Sequence, residues 1–368
     1  MPGRVLHFPK PLISRSEIGD LVARVLATPR DERAARSSEL KLEEPEVLLA
    51  LCMRLRDLLD RAPAIARDDS DYLYRFLRTP ERPIGLFDER EYFLGELALL
   101  AGTACRQLSR REEARLWFDR AEAGFRHTLN AVADLARLAY QRLALRMEER
   151  HIDAVLELVP SLVQSFDKCG LPQEALKARF LEALAWMESE RLTEAVDAFR
   201  EIAREAERIG SEKLLASAYG NLAHLHGMLG DPTHAMESSR LAIPILHRLG
   251  DRVALAKVQW GLATLLRETG QLVPAIEAYR TAQREFDDIG MRADVAALHL
   301  VIADLLLELQ EDAAAMQSVL KALPVLQELN MVPEGMAALQ LLRESLRDQR
   351  IDRAALRELH GYFEEIRG

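Results

Sequence analysis

The chain has 368 residues, of which 49% are hydrophobic and 6% aromatic, and a formal net charge of −10. That composition excludes a disordered chain and leaves ample material for a core built from Leu and Ala rather than from rings. Residues 1–90 carry 16 basic and 16 acidic side chains, so the excess of acid falls on residues 91–368 and argues against nucleic acid or an anionic membrane as partner.

The first residues, MPGRVLHFPKPLIS, lack the apolar stretch of a secretion signal. No apolar run approaches the roughly 18–20 residues of a membrane span. Cys52, Cys105 and Cys169 are odd in number, widely spaced and set in apolar helical stretches. They predict buried free thiols and a cytoplasmic location. Helices are expected over about 15–27, 31–40, 44–61 and 69–78. The stretch LRTPERPIGLF (77–87) holds Pro80, Pro83 and Gly85 and reads as an extended connector. Residues 1–90 do not repeat. They are expected to form a helical cap or, alternatively, an arm lying in a groove of residues 91–368.

From residue 91 a 40-residue period sets in. Gly170, Gly210, Gly250 and Gly290 fall on one grid, with Asn130 and Asn330 at its outer points. Gly and Asn are the residues that take the left-handed conformation closing a helix. The blocks are 91–130, 131–170, 171–210, 211–250, 251–290, 291–330 and a shorter 331–368. Each has apolar residues at three- and four-residue spacing and a break near its middle, clearest at Gly230-Asp231-Pro232 and Thr269-Gly270. Each block is therefore two helices of about 15–17 residues joined by a short turn. After the turn comes Ala114, Ala154, Ala195, Ala235, Ala275, Ala315 or Ala355. Phe118, Leu158, Phe199 or Tyr279 follows four later in several blocks. Gly102, Ala183, Ala223, Ala263 and Ala303 lie twelve residues before the alanine, whereas Arg142 and Arg343 take that place in the second and seventh blocks. Small residues at two matched places let paired helices approach closely, with the large residue filling the space beside them.

This pattern resembles the tetratricopeptide repeat family over about 91–368, with a period longer than the usual 34 residues. The Gly-Asp junction in LGDRVALA (249–256) is similar to the long-helix subclass of kinesin light chains, Pins-type scaffolds, bacterial Rap-type peptide-sensing regulators and maltose-type activator sensor domains. The resemblance implies an all-α, right-handed superhelical solenoid of about seven helix-turn-helix repeats with an irregular helical N-terminal segment.

Catalytic signatures do not emerge. The chain has no GxxxxGK[ST], GxGxxG or CxxC, so neither enzyme activity nor a cofactor is expected. His224 and His226 point about 200° apart on a helix and cannot share a metal, and His234 lies past the turn. His226, like Cys105 and Trp186, takes the place that the motif usually gives to an inter-helix packing tyrosine. No metal site is expected.

In the family the first helix of each block lines a concave face. The implied inward positions are Glu96, Leu99, Thr103 and Arg106; Ala136, Ala139, Leu143 and Arg146; Lys177, Phe180, Leu184 and Met187; Ser217, Gly220, His224 and Gly227; Lys257, Trp260, Thr264 and Arg267; Ala297, Leu300, Asp304 and Leu307; and Ala337, Gln340, Glu344 and Arg347. Gly220 and Gly227 each cost roughly 1 kcal/mol in mid-helix relative to alanine. With Phe180 and Met187 on one side and Lys257, Trp260 and Arg267 on the other, they suggest a glycine-floored notch with aromatic walls and basic rims. The rival reading is close neighbour packing, with Trp260 filling the space. The family's clamp for C-terminal EEVD peptides needs asparagine where this chain has Leu184, His224 and Thr264, so that ligand is not expected. The expected peptide-binding set is Lys177, Phe180, Met187, Ser217, Gly220, His224, Gly227, Lys257, Trp260, Thr264, Arg267 and Asp304. The expected function is a non-enzymatic scaffold that binds a partner's peptide or helix, in signalling or regulatory assembly. The alternatives are a regulator gated by a small peptide or metabolite, and a homodimer formed through Leu356, Leu359, Phe363 and Ile366 on the last helix.

Overall fold

The structure, a computed structural model, describes residues 14–79, 87–129, 131–328, 333–347 and 350–367. Every regular element among them is a helix. The chain packs as two compact units, residues 1–189 and 190–368.

The first unit holds α1 (Arg15–Ala27), α2 (Arg30–Arg33), α3 (Pro45–Leu59), α4 (Pro63–Arg78), α5 (Phe87–Gln107), α6 (Arg111–Arg126), α7 (Val132–Glu148), α8 (Ile152–Lys168) and α9 (Pro172–Glu188). The expected helix over 31–40 shrinks to α2, followed by turns. Leu40 and Leu42 are both fully buried. A straight helix would point two such residues to opposite sides, so the chain bends instead, with Lys41 left-handed at φ 51°. α4 begins six residues before its expected start, with Pro63 in the first turn. Its acidic run is absorbed by pairing: Asp69 is buried, 2.9 Å from Arg33 and 2.7 Å from Arg30. Side chains of α1, α3 and α4 share one hydrophobic core with α5, α6 and α7. Most of the connector after Arg78 lies outside the described residues.

The second unit holds α10 (Leu192–Arg208), α11 (Glu212–Met228), α12 (Pro232–Leu249), α13 (Arg252–Glu268), α14 (Leu272–Asp288), α15 (Arg292–Glu308), α16 (Asp312–Glu328), α17 (Pro333–Arg347) and α18 (Arg353–Arg367). From α10 to α16 each helix has 17 residues, apart from α12 with 18. Within that run each helix packs against the next as far as α16, and α11 also touches α13. The result is a helical repeat of paired, stacked helices.

The period has a backbone cause. Left-handed residues recur at Arg150, Gly170, Glu190, Gly210, Gly230, Gly250, Gly270, Gly290 and Gln310, with φ between 59° and 77°. Each ends a helix, and most described ends carry the same closure: the following amide donates to the carbonyl five residues back, as Met291 does to Phe286 at 2.9 Å. Asn130 and Asn330 lie outside the described residues. The previous left-handed residue is Ser109, one place off the grid.

That extra residue corrects the register of the second block. Val155, fully buried, takes the post-turn place expected for Ala154, and buried Val159 takes the place of Leu158, which is exposed. The small position holds Leu143 rather than Arg142, and Arg142 reaches outward to Glu122 and Asp119 on α6. The inward stripe of α7 becomes Arg137, Tyr140, Ala144 and Met147. Volumes compensate along the array: Leu143 is matched with Val159, whereas Gly102 is matched with Phe118. A Cβ on Gly102 would stand 2.6 Å from that ring, so only glycine fits. Arg343 is likewise exposed while its neighbour Leu342 is buried. The last repeat departs further, because α18 packs on α15 as well as on α17. Leu356 and Leu359 are buried in that core, and the side chains of Phe363 and Ile366 lie outside the described residues. Cys52 and Cys105 are buried free thiols, and Cys169 is free and half-buried.

Candidate functional site

The inward stripe is covered at α5. Leu99 and Thr103 are buried, and Arg106 pairs with Glu148 of α7. Glu96 is fully buried and bonded to Arg137 of α7 at 2.9 Å and to Arg56 of α3. Asp134 lies 3.1 Å from the same Arg137. Burial alone would push the Glu96 carboxyl up, but the two guanidiniums outweigh it and hold it at about 2. Glu96 is thus a buried structural anion and no groove residue. It ties α3 of the N-terminal segment to the first two repeats.

The stripe is covered again at α15. Ala297 and Leu300 are buried, and Asp304, expected on the groove, pairs with Arg353 at 2.6 Å and Arg357 at 3.2 Å on α18. The acid expected to meet a ligand is neutralised by the protein's own last helix.

Elsewhere most of the expected inward positions are accessible within each unit. In the first unit, on α9, Lys177 is exposed and Phe180 and Met187 are half-buried. In the second unit, His224 on α11 is exposed and Ser217, Gly220 and Gly227 are half-buried. Lys257 on α13 is exposed, and Thr264 and Arg267 are half-buried. Lys257 and Arg267 have no hydrogen-bond or ion-pair partner among the described residues. Thr264 donates to the Trp260 carbonyl at 3.2 Å and shares a 3.0 Å hydrogen bond with the Tyr279 hydroxyl.

Two expected features of the notch change. Trp260 is only 4% exposed, with its ring edge-on to Phe286 at 5.8 Å, so it is a core side chain and not a free wall. Gly220 and Gly227 face α13, where an added Cβ would meet Val258 and Leu265 at 3.6 Å. That is ordinary contact. The helices approach closely here, yet alanine would fit at either place.

Sequence reasoning missed one further feature and set aside the histidines of another. A cleft of about 640 Å³ lies among α14, α15 and α16, lined by Arg280, Arg284, His299, Ser318 and Lys321. Ser318 Oγ accepts from His299 Nδ1 at 3.1 Å and donates to the His299 carbonyl at 2.9 Å. Burial, then the Lys321 charge, lowers the His299 pKa to about 4. The second feature is a cluster of metal-ligating types, His226, Asp231 and His234, whose ligand atoms lie within 4.8 Å of one another. His226 is buried, as the packing role predicts. Neither feature shows in a one-helix pattern, because each joins residues across a turn or between helices.

The family model for soluble NSF attachment protein, SNAP, matches residues 182–322. A search of curated proteins gave no match. Among solved structures, the chain is similar to aspartyl phosphate phosphatase F from Bacillus subtilis, with TM-score 0.56 and 12% identity over 98% of this chain and 96% of that one. It is similar to a Rap protein complexed with Competence and Sporulation Factor, with TM-score 0.54 and 15% identity over 91% and 99%. It is also similar to the Rap conjugation gene regulator of plasmid pLS20 in complex with the Phr* peptide, with TM-score 0.53 and 16% identity over 96% of each chain. At these identities the likeness is one of fold.

Proposed function

We propose that the protein is a non-enzymatic receptor for an extended peptide or a partner's helix, bound on the open stripe of α11 and α13. The observation that carries this reading is the contrast along the stripe: Glu96 and Asp304 are consumed by internal ion pairs, whereas Lys257 and Arg267 have no partner among the described residues. Two uncompensated cations on a preformed surface suit a ligand with carboxylates, and a rigid face spares the receptor the cost of ordering. His224, Ser217 and Thr264 add polar contacts between them. Lys177, Phe180 and Met187 form a separate candidate patch on the first unit. Within residues 1–90, α1, α3 and α4 act as a cap, since their core continues into the first repeat.

A second reading, a regulator switched by a small peptide, is favoured by two structures of the same fold, each of a protein in complex with a named factor or peptide. Small-angle scattering separates the two. A switch compacts when its peptide is added, and a passive scaffold keeps its scattering profile. The primary test is selection from a random peptide display library against the intact chain. The expected result is a set of acidic or carboxylate-ended peptides that compete with one another. Failure to enrich any sequence over a charge-matched control surface would remove the peptide reading.

A further inference from the structure

His226 lies in the last turn of α11, Asp231 is the N-cap of α12, and His234 is in the first turn of α12. Asp231 accepts the His234 backbone amide through Oδ1 at 3.2 Å, an ordinary cap. Its other oxygen does something a cap does not require. Oδ2 lies 2.5 Å from His234 Nδ1 and 3.9 Å from His226 Nδ1. The two imidazoles stack at 5.2 Å with 28° between their planes, so both Nδ1 atoms converge on one carboxylate oxygen. We infer that His226, Asp231 and His234 form a binding site for a divalent first-row transition ion of the zinc class, clamping the turn between α11 and α12.

The donor set is two neutral nitrogens and one carboxylate oxygen, which suits a borderline-soft cation and leaves a fourth position for water. Bonds of about 2.0–2.1 Å in a tetrahedron place ligand atoms roughly 3.3 Å apart. The two separations from Oδ2 fall on either side of that value. Asp231 and His234 have exposed side chains, 39% and 56%, with room to close the remaining separations, none of which exceeds 4.8 Å. His226 is the fixed member, 6% exposed. The Arg200 charge lies within electrostatic reach of His226. It repels a cation, and Asp197 at 3.7 Å offsets part of that charge. An ion here would brace α11 from its buried side while His224 stays exposed on the stripe.

The test uses the whole chain, stripped with chelator and then titrated with Zn²⁺ and, separately, Co²⁺. The expected result is one tight equivalent, the visible absorption of four-coordinate Co²⁺, and a thermal transition that rises with Zn²⁺ concentration. His234→Ala and Asp231→Asn should each weaken binding about tenfold or more. Asparagine is as good an N-cap as aspartate, so the second variant keeps the fold. His127→Ala and His247→Ala, at exposed histidines outside the cluster, should leave binding unchanged. Absence of a stoichiometric site, or equal binding by wild type and both cluster variants, would overturn the proposal and leave the three residues as a helix cap.

Discussion

Each unit covers one part of the expected inward positions and leaves another open, as Glu96 in the first unit and Lys257 in the second illustrate. In the corrected register, Glu96, Arg137, Lys177, Ser217 and Lys257 occupy equivalent places on successive first helices. In the first unit the first two members of that series bond to each other, and α3 seals them in with Arg56. In the second unit Lys257 is exposed and unpaired among the described residues. A position in a repeat therefore does not carry a role by itself. The role depends on whether another element covers it, as α3 covers Glu96 and α18 covers Asp304.

Breaking the covered member should cost most. Glu96→Ala removes the buried carboxylate that Arg56 and the half-buried Arg137 share, leaving Arg137 only Asp134, and should destabilise the first unit by about 3 kcal/mol in denaturant unfolding. Lys257→Ala, at the equivalent open place, should stay within about 0.5 kcal/mol. Similar losses for both would erase the distinction between covered and open stripe.

Acid should separate the units next. The folded pKa of His299 is depressed, so the stability it confers is complete above its ordinary value of 6.5 and is lost as pH falls toward about 4. Glu96 is depressed too, and its contribution is lost between 4.5 and about 2. The second unit should weaken first on acidification, read by hydrogen exchange in α15. His299→Gln should flatten that early loss. An unchanged pH profile in the variant would contradict the assignment.

The small positions give an intermediate effect. The first unit accommodates Leu143 because Val159 stands where a ring stands elsewhere. Ala263 is matched with Tyr279, so Ala263→Leu should overpack the α13–α14 pair and cost about 1–3 kcal/mol, seen as a lower melting temperature. Helix ends give the smallest effect. Gln310 is left-handed without being glycine, so Gln310→Gly should gain about 0.5–1 kcal/mol, while Gly270→Ala should lose about 1–2. Equal effects at the two sites would deny that the backbone conformation sets the period.

The parts legible in the sequence were those fixed by local chemistry. Gly170, Gly210, Gly250 and Gly290 announced the period because a left-handed residue without a Cβ costs little. Arg150, Glu190 and Gln310 hid the same conformation behind ordinary side chains. Ala154, beside the true packing residue Val155, drew the second block out of register by one. The candidate positions on α9, α11 and α13 came from a spacing, and the structure leaves most of them accessible. The covered positions were not legible, because the burial of Glu96 and the neutralisation of Asp304 depend on elements distant in sequence. The burial of Trp260 depends on which way its ring turns, which helical spacing does not specify.

The central claim is that the uncommitted cations of α13 hold a ligand's carboxylates. The most direct measurement is the dissociation constant of a selected acidic peptide, by fluorescence anisotropy, for wild type and for Lys257→Glu/Arg267→Glu. The account predicts a loss of at least about a hundredfold, roughly 3 kcal/mol. The same charge change at Arg240 and Arg280, on the second helices, should have little effect. Equal loss in both double variants, or none in either, would contradict it.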